Sequence, residues 1–172
     1  MIEMKQNVPL ASYTSWLIGG LADYFCTPQN QDELKQAWEW AEKNQLPVTW
    51  FGGGTNLLIS DKGIRGLAIC LRQFSSTKIV EENQNLVIHC LSGTAKSELL
   101  KIFLKYQLAP ALFLAGLPGD VGGGVVMNAG IAENIQPREF GELVKQFNVL
   151  SRENGKFIET AYQHKDVQWS YR

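Results

Sequence analysis

The stretch PVTWFGGGTNLL, from Pro47 to Leu58, decides how the chain is read. PVTWF (47–51) is a short β-branched and aromatic run behind a proline, the pattern of a buried strand, and it runs straight into Gly52, Gly53 and Gly54. Upstream, LADYFCT (21–27) reads as another strand, which stops at Pro28. Asn30 can then cap a helix that opens with Asp32 and Glu33. Leu34, Ala37, Trp38 and Ala41 recur at helical spacing on one face, and Asn44 and Pro47 supply the stop. Strand, helix, strand is a crossover unit, and ligands tend to sit at the carboxyl end of such strands.

Three glycines at that end allow a turn so tight that successive backbone N–H groups point at one spot, a nest suited to a phosphate or diphosphate. Thr55 adds a hydroxyl and Asn56 an amide. A tight turn that merely uses glycine explains the tripeptide equally well. Two common nucleotide motifs are excluded. A P-loop closes with Gly-Lys-Ser/Thr, whereas Asn56 and Leu57 follow Thr55 here; a G-x-G-x-x-G fingerprint begun at Gly52 needs glycine at position 57, which is Leu.

Beyond this loop, LAICL (67–71), TKIVE (77–81) and NLVIHCL (85–91) read as strands, the last two joined by a turn around Asn83 to Asn85. Residues 95–107 form an amphipathic helix with Leu99, Leu100, Phe103 and Leu104 inward. LVKQFNVLS and KFIET, separated by Asn154-Gly155, read as a hairpin. Between them lies AGLPGDVGGGVVMNAG (115–130), which holds Gly116, Gly119, Gly122, Gly123, Gly124 and Gly130 around Pro118. Ordering so many glycines is entropically costly, so either a flat ligand pressed against exposed backbone compensates, or the segment is a glycine-rich helix start packed under a strand. Asn128 offers a donor and an acceptor for such a ligand. The plan is α+β, with a small lobe over residues 1–72 and a larger one over 73–172.

Composition narrows the partners. In 172 residues, 16 Lys+Arg stand against 17 Asp+Glu, which leaves no general basic field for nucleic acid or anionic membrane. No apolar run approaches the ~18 residues of a membrane span, and the start MIEMKQNVPL lacks a signal-peptide core, so a cytoplasmic protein is expected. Cys26, Cys70 and Cys90 read as buried free thiols. His89 and His164 have no metal-ligand spacing, and no metal is expected. Trp38, Trp40 and Trp50 read as packing residues.

Together the motifs resemble the FAD-binding domain of the MurB-type family, the UDP-N-acetylenolpyruvoylglucosamine reductases of peptidoglycan precursor synthesis. The resemblance begins at Asn7 to Leu10, Tyr13-Thr14-Ser15 and Ile18-Gly19-Gly20, and continues through GGGTNLLISDKGIRGL (52–67), AGLPGDVGG and VVMNAG (115–130) to WSYR (169–172). It implies a two-lobed fold of the vanillyl-alcohol oxidase or PCMH type, with noncovalent FAD between the lobes. By resemblance, Gly52, Gly53, Gly54, Thr55 and Asn56 hold the diphosphate together with Gly116, Pro118, Gly119, Val121, Gly122 and Gly123. Asn128, Ala129 and Gly130 lie near the flavin, and Thr14 with Ile18 to Gly20 supports the nucleotide site. The family uses NADPH as reductant and a UDP-sugar as substrate, UDP-N-acetylglucosamine enolpyruvate. Arg172 matches the arginine that stabilises the enolate-like intermediate; it is the candidate catalytic residue, since guanidinium stays charged and grips a carboxylate in two places. A monomer is expected.

Three departures accompany the resemblance. The family's proton-donating serine and its glutamate belong to a C-terminal substrate-binding domain, which is expected to be absent from these residues. Asp120 stands where the family usually carries a small hydroxyl residue. A carboxylate about 4 Å from a diphosphate charge costs ~1 kcal/mol at water's dielectric and ~4 at an effective value near 20. Finally, IAENIQPREFGE (131–142) replaces a shorter link to the next strand.

Overall fold

A computed structural model of the protein describes residues 2–82, 85–108, 111–131 and 139–170. Its centre is a four-stranded sheet built from β1 (Lys5–Pro9), β2 (Leu21–Cys26), β3 (Val48–Phe51) and β4 (Ile64–Cys70), in the order β1-β2-β4-β3. β1 runs antiparallel to β2, whereas β2 and β3 both lie parallel to β4. The crossover from β2 to β3 is made by α1 (Gln31–Lys43), and β4 fills the gap that the crossover leaves.

α1 begins where its cap predicts. The Asn30 Oδ1 accepts the Glu33 N–H at 2.9 Å, while the Glu33 carboxylate accepts the Gln29 N–H at 2.8 Å. Leu34, Ala37 and Ala41 are buried. Trp38 turns off this stripe, half-buried and edge-on to Trp50 and to Phe157. The helix ends at Lys43 with Asn44 as its C-cap, where the sequence places the stop; the Asn44 amide donates to the Trp40 carbonyl at 2.7 Å, and Gln45 takes the left-handed conformation (φ 55°).

Both faces of the sheet are covered. Cys26, Leu67 and Ile69 pack with the alanines of α1 on one side; Ala22, Phe25, Phe51 and Ala68 pack with Leu10, Tyr13 and Ile59 on the other. Fully burying one Phe or Leu side chain is worth about 2–3 kcal/mol. β4 starts three residues before the expected LAICL. Gly66 (φ 91°) makes this possible at a register shift opposite Ala22 and Tyr24, where its N–H donates to the Asp23 carboxylate at 2.9 Å.

The second half is built from hairpins and short helices. β5 (Thr77–Glu82) pairs with β6 (Asn85–Cys90), and β7 (Gln146–Glu153) pairs with β8 (Lys156–Gln163). Asn154 (φ 49°) and Gly155 (φ 75°) form the expected tight turn between the latter pair. α2 (Lys96–Lys105), α3 (Ala111–Ala115) and α4 (Val121–Val126) surround a core of Leu99, Phe113, Leu114, Leu117, Val121 and Phe140. Leu104 does not join it. It is 60% exposed, because five residues along a helix place it about 140° around the axis from Leu99. Lys96 takes the inward position instead, with only 4% of its surface exposed.

The β7–β8 hairpin docks on α1. Arg152 reaches Glu42 at 2.6 Å and Glu39 at 3.2 Å, with its guanidinium 4.3 Å from the Phe157 ring centre. Among the described residues, no helix is long and apolar enough to cross a membrane.

Candidate functional site

The two glycine segments meet. β3 delivers the first at its carboxyl end, where Phe51 is buried and the chain bends through Gly52 and Gly53. Three donors then hold the three glycine carbonyls. The Cys70 thiol lies 3.7 Å from the Gly52 oxygen, Arg72 Nη2 2.7 Å from that of Gly53, and the Ser15 N–H 3.2 Å from that of Gly54. In a trans peptide the following N–H points opposite to the carbonyl. The N–H groups of Gly53, Gly54 and Thr55 therefore face away from those anchors, and the Gly53 N–H is directed to the Asp120 carboxylate. Gly54 must be glycine, since φ is 67° and a Cβ would fall on the Tyr13 carbonyl.

The second segment approaches from the other side. Gly119 (φ 91°) packs against the Thr55 hydroxyl, which would lie 2.6 Å from a Cβ on it, and a Cβ on Gly53 would lie 3.2 Å from Asp120 Oδ1. The backbone here is pinned to the strand-to-helix link: the Lys96 N–H donates to the Gly119 carbonyl (2.9 Å), the Val121 N–H to Thr94 (2.8 Å) and the Gly122 N–H to Ser92 (2.7 Å). Lys96 Nζ adds a bond to the Pro118 carbonyl at 3.0 Å. Of the two open readings of this segment, the glycine-rich helix start is the one the fold displays. Val121 to Val126 is a glycine-rich helix, and Gly124 packs with a would-be Cβ 2.9 Å from Phe140 and from Lys96 Cε. Gly123 is exposed, and nothing lies within 4 Å of a Cβ built on it.

The remaining candidates are placed as follows. Thr55, Asn56, Gly116 and Pro118 are exposed, Val121 is buried, and Gly119, Gly122, Ala129 and Gly130 are partly buried. Asn128 (φ 40°) is buried, and its amide is engaged within the protein: it accepts the Gly141 N–H at 2.8 Å and donates to Glu139 at 2.6 Å. Thr14 spends its hydroxyl on the Ala11 and Ile18 carbonyls, bracing the early loop that Ser15 ties to Gly54. Trp16, Leu17 and Ile18 on that loop, with Leu58 on the first glycine segment, expose apolar side chains. Arg172 and the linker residues 132–138 lie outside the described residues.

Electrostatics centre on Asp120. It is 8% exposed, its Oδ2 is buried with no hydrogen-bond partner, and burial pushes its carboxyl up; the Gly53 N–H, Arg72 and Lys96 pull the other way. Burial pulls Lys96 down, against the Asp120 charge. Arg72, Lys96 and Cys70 were not legible as site residues, because nothing in their local sequence marks a side chain that reaches across the fold. The inward turn of Asp120 had one signal: a carboxylate set among glycines. A shallow groove lined by Ile2, Met4, Gln36, Glu39 and Trp40 touches neither glycine segment.

Two glycine segments brought together at the carboxyl end of a parallel strand, over an α+β scaffold, make the layout of a dinucleotide-binding domain. The comparisons agree. Residues 22–161 match the model of the FAD binding domain family, and the chain belongs to that family. It is 39% identical over 137 residues, 77% of its length, to a UDP-N-acetylenolpyruvoylglucosamine reductase of Prochlorococcus marinus, of which it covers 45%. The crystal structure of the corresponding reductase (MurB) from Thermus caldophilus superposes with a TM-score of 0.72 at 26% identity, over 100% of this chain and 56% of that one. Cholesterol oxidase from B. sterolicum shares the fold, with a TM-score of 0.67 at 14% identity over 94% of this chain and 33% of the oxidase. The chain spans about half the length of the curated relatives it matches.

The residues present fit FAD. The exposed face at Gly123 and the N–H groups of Gly54 and Thr55, which face away from the carbonyl anchors, suit a diphosphate; among the described residues, the buried Asp120 carboxylate, which takes the Gly53 N–H, opposes it.

Proposed function

We propose that the chain is the FAD-binding part of a UDP-N-acetylenolpyruvoylglucosamine reductase, acting in peptidoglycan precursor synthesis in the cytoplasm. The observation that carries the reading is the meeting of the two glycine segments, Thr55 against Gly119 and Gly53 against Asp120, in a chain whose relatives bear that name. Bound FAD would supply hydride transfer. The chain's own residues bind and orient it: Gly52 to Asn56 with Gly116, Pro118, Gly119, Val121, Gly122 and Gly123 hold the diphosphate between a first lobe (1–72) and a second (73–172). Trp16, Leu17, Ile18 and Leu58 would offer the cofactor the exposed apolar surface of the early loop and the first glycine segment. Asn128, Ala129 and Gly130 shape the flavin pocket through backbone, because the Asn128 amide already braces Gly141 and Glu139.

NADPH is the proposed reductant, and a UDP-sugar enolpyruvyl ether the proposed substrate. Arg172 would hold the substrate carboxylate as negative charge develops beside it. Hydride addition to one enolpyruvyl carbon and protonation of its neighbour balance the reduction. A flavin-binding module without turnover is the second reading.

The visible spectrum of the purified chain, followed by anaerobic NADPH, separates these. A flavin spectrum that bleaches supports the reductase. Flavin that binds and stays oxidised points to the module, and a chain that takes up no FAD ends both.

A further inference from the structure

We propose that Asp120 makes cofactor loading proton-linked: its carboxylate occupies the glycine nest as an internal anion, and it takes up one proton when a diphosphate enters, so that affinity for FAD falls as pH rises. The inference rests on the FAD reading above and concerns a residue to which that reading gives no role.

Geometry carries the argument. The backbone at Asp120 is fixed on both sides, by the bridge to Ala95 and by the bonds from Lys96 N–H to Gly119 and Val121 N–H to Thr94. The carboxylate is thereby held against the Cα atoms of Gly52 and Gly53, in the space that a side chain on either would need. One oxygen meets the Gly53 N–H side of the nest, and the other, Oδ2, is buried without a donor. Each element packed here contributes one group. The turn after β4 brings Arg72, which is also spent on the Gly53 carbonyl; β4 brings the Cys70 thiol, kept neutral by burial; α2 brings Lys96, spent on the Pro118 carbonyl. Two cations stabilise one buried anion. A diphosphate brought to the same N–H groups adds like charge that these two cations cannot also neutralise, and like charge favours the protonated carboxyl. Protonation also replaces the charge on the orphaned, buried Oδ2 with a neutral hydroxyl, which a site without a donor tolerates better.

The test is FAD titration of the full chain between pH 5.5 and 8.5 at constant ionic strength, followed by flavin fluorescence. Calorimetry in two buffers of different ionisation enthalpy counts protons. In the wild type, Kd should rise towards tenfold per pH unit above the titration of Asp120 in the free chain, with uptake approaching one proton. Asp120→Asn and Asp120→Ser should both lose the slope and the uptake, and bind FAD at least tenfold more tightly than wild type at pH 8.5.

The cofactor-free chain gives a second readout. The Asp120 carboxyl is raised on folding, so the stability it contributes is present at low pH and lost as pH rises through the folded value. Melting of wild type, but of neither variant, should show that loss. A slope that survives in both variants would assign the proton to Lys96 and overturn the proposal. So would a pH-independent wild-type affinity, or tight binding at pH 8.5 that requires added magnesium. If no form binds FAD at any pH, the FAD reading falls and takes this proposal with it; FAD uptake without the Asp120-dependent slope removes this proposal alone.

Discussion

Gly123 and Gly124 are neighbours in one short helix, yet alanine should act on them in opposite ways. At Gly123 the added methyl meets no protein atom, and the helix gains about 0.5–1 kcal/mol because alanine is the better helix former. At Gly124 the methyl would lie 2.9 Å from the Phe140 ring and from Lys96 Cε, about 1 Å inside comfortable contact, and overpacking of this kind costs about 1–3 kcal/mol. For a domain of this size each kcal/mol moves Tm by about 2–4 °C. Melting of the cofactor-free proteins should therefore show Gly123→Ala level with wild type or a few degrees above it, and Gly124→Ala below it. FAD titration should show a further contrast. If the open face at Gly123 is where the cofactor's diphosphate lies, a methyl there forces it outward and weakens binding by at least tenfold, which is about 1.4 kcal/mol. A Gly123→Ala protein that melts normally and binds FAD as tightly as wild type would refute the assignment of that face to the cofactor.

Three further outcomes are expected. Gly54→Ala combines a φ of 67° with a methyl driven into the Tyr13 carbonyl, so it should cost at least ~2 kcal/mol in urea unfolding and loosen the early loop; a change below ~0.5 kcal/mol would contradict the described turn. Arg152→Ala removes two ion pairs to partly exposed carboxylates and a cation–π contact, about 2 kcal/mol together, part of which should disappear in high salt; an unchanged Tm would show that the hairpin docks without it. Burial pushes the Cys26 thiol from 9.0 to about 12, which leaves about a thousandfold less thiolate near pH 8, so iodoacetamide should label it only in denaturant; rapid labelling of the native chain, read by mass spectrometry, would contradict that burial.

What the sequence showed depended on whether the signal was local. The α1 cap, its Leu34-Ala37-Ala41 stripe and the Asn154-Gly155 turn are each decided within a few residues, and each stands where the pattern puts it. β1 gave no signal, since KQNVP is polar and exposed and becomes a strand only because β2 offers it an edge. The ALFLA helix was hidden in an apolar run too short to show a period. At the site, the glycines could be read as a pair of loops, because their density is unusual wherever they fold. That Arg72 would hold one loop and Lys96 the other depends on contacts between residues roughly 20 apart, which no window of the sequence displays.

The docking of the last hairpin on the first helix also bears on how the chain is made. Glu39 and Glu42 are paired with Arg152, more than 100 residues later. A ribosome adding about 5–20 residues per second leaves α1 without this partner for several seconds or more, and contacts of such separation are slow to close even in a finished chain. During that interval the carboxylates, exposed at the helix surface, keep its outer face hydrated while Trp38 waits for Phe157. The clamp is thus a late event in assembly, and a chain arrested before Arg152 should be a target for chaperones rather than a stable intermediate.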